Sequence, residues 1–289
     1  TPIAKHKVFG VSYMTMNNPF YKIINNEILK VVEKNNDALI TLDPELDVDK
    51  QNEQIYKFID AKVDGIFINP IDFEQIEPAL QAAKRADIPV IIIDAPVSDE
   101  SLVNCTIVSD NYDAGVQCAK DMMERLDSAN IVLLKHTTAK SAKERIEGFL
   151  SVIDNNEKYK VINEAECDGQ LEIAMPKMQE IIEETPDIDV VMALNDPSAL
   201  GALAALEKNN KNNDVMVYGI DGTPEIKALI GRNQMIVGTV AQSPIKMGQI
   251  AVENMYNILN GKKIEKNIII PISLINKENL FKYDEDRWQ

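Results

Sequence analysis

The chain is poor in the groups that carry most covalent and metal chemistry: its 289 residues include two histidines, three cysteines and one tryptophan. Cys105, Cys118 and Cys167 are odd in number and show no metal-ligand spacing, so free thiols are expected, and neither a disulfide framework nor a zinc site. His6 and His136 have no nucleophile or second ligand nearby in sequence, and His136, just after an apolar run, reads as a bystander. The glycine-bearing segments match neither a phosphate-binding P-loop nor a GxGxxG turn, so no cofactor and no metal are expected. Positive charge is scarce as well. Thirty Lys and Arg against 46 Asp and Glu give a formal net charge of −16, and the largest basic cluster is Lys262-Lys263. Such a surface repels phosphate backbones, which excludes nucleic acid as a partner. No apolar run approaches the roughly 18 residues that cross a bilayer. The chain begins at Thr1 without a charged n-region or apolar h-region, so a signal peptide already removed, or a trimmed chain, is expected.

What remains is an ordinary soluble composition, 45% hydrophobic and 26% charged, in a chain too long for one core. Two domains of roughly 150 residues are expected. Strand-like and helix-like patterns alternate almost without interruption. Strands are expected at 7–13, 38–42, 65–69, 89–93 and near 106–109, then at 130–134, 159–165, 189–194, 215–220 and 235–240. Helices are expected between them, among them 19–35, 74–86, 111–127, 140–154 and 197–209. Continuous apolar runs joined by helices indicate parallel sheets covered on both faces. The fold class is therefore α/β, with two doubly wound parallel-sheet domains joined by a three-strand hinge and a ligand cleft between them. A helix at 244–260, ending at Asn260-Gly261, and the run Ile268 to Ile275, broken by Pro271, have no partner strands of their own. The expected lobes are thus 1–109 plus 243–270, and 110–242 plus 271–289.

Seven polar residues follow seven apolar runs: Asn18, Asn69, Asp94, Arg145, Asn195, Asp221 and Gln242. In open α/β sheets ligands bind beyond the carboxyl ends of the strands, so these residues are candidates for one site. They form hydrogen bonds in both directions, and no nucleophile–base pair stands among them. That chemistry holds a hydroxyl-rich molecule and does not transform it. Phe20 and Tyr21, after Asn17-Asn18-Pro19, add two adjacent aromatic faces suited to the C–H side of a sugar. Each has a plainer alternative: Asn18 and Asn195 suit N-caps, Pro19 suits a first helical turn, and an Arg on a helix is usually solvated. Arg145 has a fork that grips two adjacent oxygens, so Arg145→Ala is expected to weaken binding with little loss of fold stability.

At these residues the chain resembles a known family. TMNNPFY, INPID, IDAP, VSDN, SAKERIEGF, ALNDPSALGA, GIDGTPE and TVAQSP are similar to the motif series of the ribose/galactose-type periplasmic sugar-binding proteins, from about Val8 to Leu280 in unbroken order. The resemblance implies the type I periplasmic binding fold and the role of a solute receptor for a bacterial ABC importer. Asn18, Phe20, Tyr21, Asn69 and Asp94 would then line the first lobe. Arg145, Asn195 and Asp221 would close from the second, with Gln242 at the hinge and Asp110 where the chain first crosses. The implied ligand is a neutral monosaccharide or polyol, the implied partner an ABC permease, and the protein a monomer, not an enzyme. Its expected location is extracytoplasmic, in the periplasm or as a cell-surface lipoprotein. Two positions depart from the ribose receptors, which carry Arg at Ala95 and an aromatic at Cys167-Asp168. Weak ribose binding is therefore expected, with a hexose, a deoxyhexose or a polyol preferred.

Two other functions fit parts of the pattern. The effector domain of a lac-repressor-type regulator shares the fold but needs an upstream helix-turn-helix, and the tail IPISLINKENLFKYDEDRWQ is similar to that of the transport receptors. A sugar hydrolase would need paired carboxylates about 5–10 Å apart, and nothing in the sequence places Asp94 and Asp221 in that role.

Overall fold

The computed structural model describes residues 5–211 and 214–289; the first four residues of the expected first lobe lie outside them. The first part of the chain runs β1 (Val8–Ser12), α1 (Pro19–Lys34), β2 (Ala38–Leu42), α2 (Val48–Asp60), β3 (Gly65–Ile68), α3 (Glu77–Arg85), β4 (Val90–Ile93) and β5 (Cys105–Ser109). It continues with α4 (Asn111–Arg125), β6 (Ala129–Lys135), α5 (Lys140–Ile153), β7 (Tyr159–Glu166) and α6 (Leu171–Glu184). Then come β8 (Val190–Ala193), α7 (Asp196–Lys208), β9 (Met216–Asp221), α8 (Pro224–Ile230) and β10 (Ile236–Ala241). The last elements are α9 (Pro244–Leu259), β11 (Asn267–Ile270) and β12 (Ser273–Asn276).

These elements form two α/β units, each around its own sheet. The chain passes from the first to the second after Ser109, back after Ser243 and out again after Ile270. The expected boundary at 242/243 falls one residue later, and Thr138–Lys140 groups with the first unit. There the Phe73 amide donates to the Thr138 carbonyl at 3.3 Å.

Among the described residues each sheet has six strands, ordered β11-β5-β4-β3-β1-β2 in the first unit and β12-β10-β9-β8-β6-β7 in the second. The first sheet is parallel throughout. In the second, β12 is antiparallel to β10, with Ser273 opposite Ala241 and Asn276 opposite Gly238. The two parallel-sheet domains are as expected, and the second sheet adds one antiparallel edge strand. β11 belongs to the first sheet, and after Pro271-Ile272 the chain joins the second sheet with Ser273 opposite Ala241, the last residue of β10. The chain enters beside the carboxyl end of β10 and can only run back.

The central strands are apolar on both faces because helices cover both. Residues 65–68 and 90–93 are wholly buried, and so are 190–193. Their side chains pack with Phe58, Leu80 and Ala83 in the first unit, and with Phe149 and Tyr218 in the second. The expected start of helix 74–86 is corrected to Glu77. The Asp72 carboxylate accepts from the amides of Glu74 and Gln75, at 2.8 and 2.9 Å, and holds a separate turn ahead of Pro78.

Candidate functional site

The order of the first sheet reverses at β1, which has β2 on one side and β3 on the other. In the second sheet the reversal is at β6, between β7 and β8. The carboxyl ends of these strands are the topological switch points where open α/β sheets take ligands.

In the first unit Asn18 caps α1, its side-chain oxygen accepting from the Phe20 amide at 3.0 Å, with Pro19 opening the helix. The cap fixes the first turn and thereby Phe20 and Tyr21, both buried. The Tyr21 ring stacks on Tyr13, with centroids 5.8 Å apart, and meets Phe20 edge-on at 5.7 Å. Its hydroxyl donates to Asp94 Oδ2 at 3.2 Å. Asp94, just past β4, has φ +73, a left-handed conformation that side chains other than glycine adopt at some cost. Strain at a buried carboxylate beside an aromatic cluster marks a constrained position.

Asn69 is held within its own unit. It is 0% exposed, and its side chain is occupied by backbone: Oδ1 accepts from the Met14 amide at 3.0 Å, and Nδ2 donates to the Ile93 carbonyl at 3.1 Å. The amide thus ties the ends of β1, β3 and β4 together.

In the second unit Asn195 caps α7. Its Oδ1 accepts from Ser198 N at 3.0 Å and from Ser198 Oγ at 2.6 Å, while Nδ2 donates to the Gly169 carbonyl at 3.1 Å. Like Asn69, it is occupied within its own unit. Arg145 is buried as well, near the start of α5. Helices α4 and α5 meet backbone to backbone, since a Cβ on Gly115 would fall 1.8 Å from the Arg145 carbonyl oxygen. That approach lets Arg145 Nε donate to Asn111 Oδ1 at 3.0 Å, and Nη1 donates to the Leu194 carbonyl at 2.8 Å. Asp221 ends β9; its Oδ1 accepts from Gln242 Nε2 at 2.8 Å, and its backbone carbonyl accepts from the Gln242 amide. Asp110, at the first crossing, is exposed and caps α4 through the Asp113 amide at 3.1 Å.

Sequence reasoning missed Asp196. This carboxylate is 0% exposed and clasps the turn that carries Asp221: Oδ2 accepts from Thr223 N at 2.9 Å, and Oδ1 from Thr239 Oγ1 at 2.7 Å. Thr239 Oγ1 in turn accepts from Gly222 N at 3.1 Å. Burial pushes the Asp196 carboxyl up to about 6, against the lowering effect of its hydrogen bonds and of Arg145. The legible signals were Thr239 within an apolar strand and Gly219 near the end of another. A Cβ at Gly219 would lie 2.4 Å from Asp196 Oδ1.

The three cysteines are free and buried, and Cys167 Sγ donates to Ser198 Oγ at 3.3 Å. Among the described residues no group of His, Cys, Asp and Glu could hold a metal, and no helix is long and apolar enough to cross a membrane.

The family model described as the periplasmic binding protein domain matches residues 9–263. The chain belongs to the periplasmic binding protein family. Every candidate from Asn18 to Gln242 falls within the matched span, so both switch points belong to the periplasmic binding protein domain. The chain is similar to the ribose import binding protein of Bacillus subtilis, at 32% identity over 272 residues, 93% of this chain and 87% of that one. Its likeness to the Escherichia coli ribose import binding protein is 30% over 267 residues, 91% and 88% of the two chains. Among solved structures, an ABC transporter solute binding protein of Bacillus halodurans with bound myo-inositol matches with a TM-score of 0.91 at 26% identity. That match covers 99% of this chain and 100% of the other. A Mycobacterium smegmatis solute binding protein with bound glycerol gives 0.90 at 26% identity, over 96% of each chain.

Proposed function

We propose that the chain is an extracytoplasmic solute receptor that captures one neutral monosaccharide or polyol and delivers it to an ABC importer permease. The observation that carries this reading is the chemistry at the carboxyl ends of the two sheets. Two strands along from each reversal, a buried carboxylate is held by a neighbouring donor: Asp94 after β4 by Tyr21, and Asp221 at the end of β9 by Gln242. Carboxylates in such settings accept hydroxyl protons from a ligand. Phe20 and Tyr21 supply the apolar face that a sugar ring needs. In this reading both clusters contact the same ligand, and the chain's passages near 110 and 242 serve as its hinge. Asn69, Asn195 and Arg145 position the strand ends, and Arg145 keeps its Nη2 for the ligand. The protein carries its ligand and does no chemistry on it.

A thermal-shift panel of pentoses, hexoses, deoxysugars and polyols tests the proposal. Ligand at a hundredfold excess over Kd adds about 2.7 kcal/mol to stability, so the expected outcome is a saturable rise in melting temperature for at least one of them. Ala95 and Cys167 stand where ribose receptors have larger groups, so ribose is expected to rank below a hexose, a deoxyhexose or a polyol. A panel without any shift contradicts the capture reading, and ribose at the top contradicts the ranking.

A further inference from the structure

The carboxyl end of β6 carries a side chain that its own unit leaves unoccupied. His136 follows Lys135, the last residue of β6, and is 4% exposed. Neither ring nitrogen makes a hydrogen bond among the described residues. This is the switch point of the second sheet, with β7 on one side of β6 and β8 on the other. The residue at the matching place in the first sheet, just past β1, is Tyr13, whose hydroxyl donates to Asn25 Oδ1 at 3.2 Å. The two positions are topologically alike, and only the second keeps its hydrogen-bonding capacity.

The surroundings fit a polar ligand group. The loop after β7 lies against the ring through Gly169 at φ +68. A Cβ there would fall 2.8 Å from Asn195 Nδ2 and 3.7 Å from His136 Nδ1. Asn195 is closed off by Ser198 and by the Gly169 carbonyl, and the Cys167 thiol is turned to Ser198. The charges around the ring are Glu166 at the end of β7, Asp168 in the following loop, and Arg145 from α5. Burial lowers the imidazole pKa, the two carboxylates oppose it, and Arg145 adds to the lowering, which leaves the ring neutral at pH 7. A neutral imidazole offers one donor and one acceptor, the same pair that a hydroxyl offers in return.

We infer that His136 is a specificity-determining residue of the second lobe, exchanging a hydrogen bond with one hydroxyl of the bound sugar or polyol. The inference rests on the capture reading above. It implies that a ligand lacking that one hydroxyl is rejected, because the buried ring would then be left without a partner.

The test is titration calorimetry with D-ribose, D-galactose, D-fucose and myo-inositol, using the tightest binder for the variants. His136→Phe keeps a buried ring without hydrogen bonds and should weaken binding at least about tenfold at pH 7.5. His136→Gln restores a donor and an acceptor and should recover most of that loss. On acidification from pH 7.5 wild-type affinity should fall once the ring takes up a proton and loses its acceptor, while the Gln variant stays flatter. Equal affinities for wild type and the Phe variant would overturn the inference. Should the Phe variant lose its fold by circular dichroism, the Gln variant decides, and a pH profile parallel to wild type overturns it. If wild type binds none of the four ligands, the capture reading falls with it; if it binds and His136 makes no difference, only this inference falls.

Discussion

The two lobes repeat one topology and place the same residue types at matching strand ends. Asn69 follows β3 as Asn195 follows β8, and Asp94 follows β4 where Asp221 ends β9. Both asparagines are occupied by their own unit's backbone and caps, and both aspartates accept from a neighbouring side chain. The lobes differ in what surrounds these pairs. The first supports its aspartate with stacked aromatics, Tyr13, Tyr21 and Phe20. The second relies on buried charge: Asp196 clasps the turn that carries Asp221, and Arg145 holds the Leu194 carbonyl at the end of β8. Aromatic packing is indifferent to pH and salt, whereas buried ionisable groups tie the shape of a site to proton uptake. The two lobes should therefore respond differently to the same perturbation.

Arg145→Ala gives the largest expected effect. It removes two charge-assisted hydrogen bonds and strands the Leu194 carbonyl and Asn111 Oδ1, at a cost of about 3 kcal/mol or more. The sequence-based expectation of weakened binding at little cost in stability is thus replaced: urea denaturation should show a clear loss of stability alongside any loss of affinity. A variant as stable as wild type would mean that these bonds do not hold the second lobe together.

Next comes the pH dependence carried by Asp196. Its folded-state pKa of about 6 lies above the ordinary carboxyl value of 3.8, so the native state takes up the proton more readily than the unfolded chain. The stabilisation is complete below about pH 4 and is lost as pH rises through 6. A difference of roughly two pKa units corresponds to about 3 kcal/mol. His136, with its pKa lowered by burial, has the opposite sign: its contribution is lost as pH falls below the ordinary imidazole value. Denaturation of wild type and Asp196→Asn at pH 4, 5, 6 and 7 separates the two. The stability of wild type relative to the variant should fall by up to about 3 kcal/mol across that range; parallel curves would contradict the assignment.

In the first lobe the corresponding perturbation is small. Tyr21→Phe keeps the aromatic stack and removes only the 3.2 Å bond to Asp94, a change of about 1 kcal/mol. A several-fold loss of affinity by calorimetry is expected, with a pH profile unchanged from wild type. The smallest effect is that of salt: a neutral ligand has no long-range charge attraction to screen, so affinity should barely change between about 50 and 500 mM NaCl. A steep dependence would indicate an anionic ligand.

The order of strands and helices was legible because each strand is a continuous apolar run and α1 and α7 open on Asn caps and Pro. The direction of β12 was not, since Ser273–Asn276 carries no mark of its partner's polarity. The candidate residues were legible as a set, because position at a strand's carboxyl end is a local property. Their roles were not. Asn69 is bonded to groups 55 and 24 residues away, and Arg145 to groups 34 and 49 residues away. Only the folded chain brings those partners together. Asp196 stayed hidden for the same reason, its threonine partner Thr239 being 43 residues distant.

The central claim is that one ligand engages both lobes. Titration calorimetry of the best ligand from the sugar panel against wild type, Asp94→Ala and Asp221→Ala tests it most directly. The account predicts a single site per chain and a loss of at least about tenfold in affinity for each variant, since each removes acceptors for ligand hydroxyls. Wild-type affinity in either variant would contradict it.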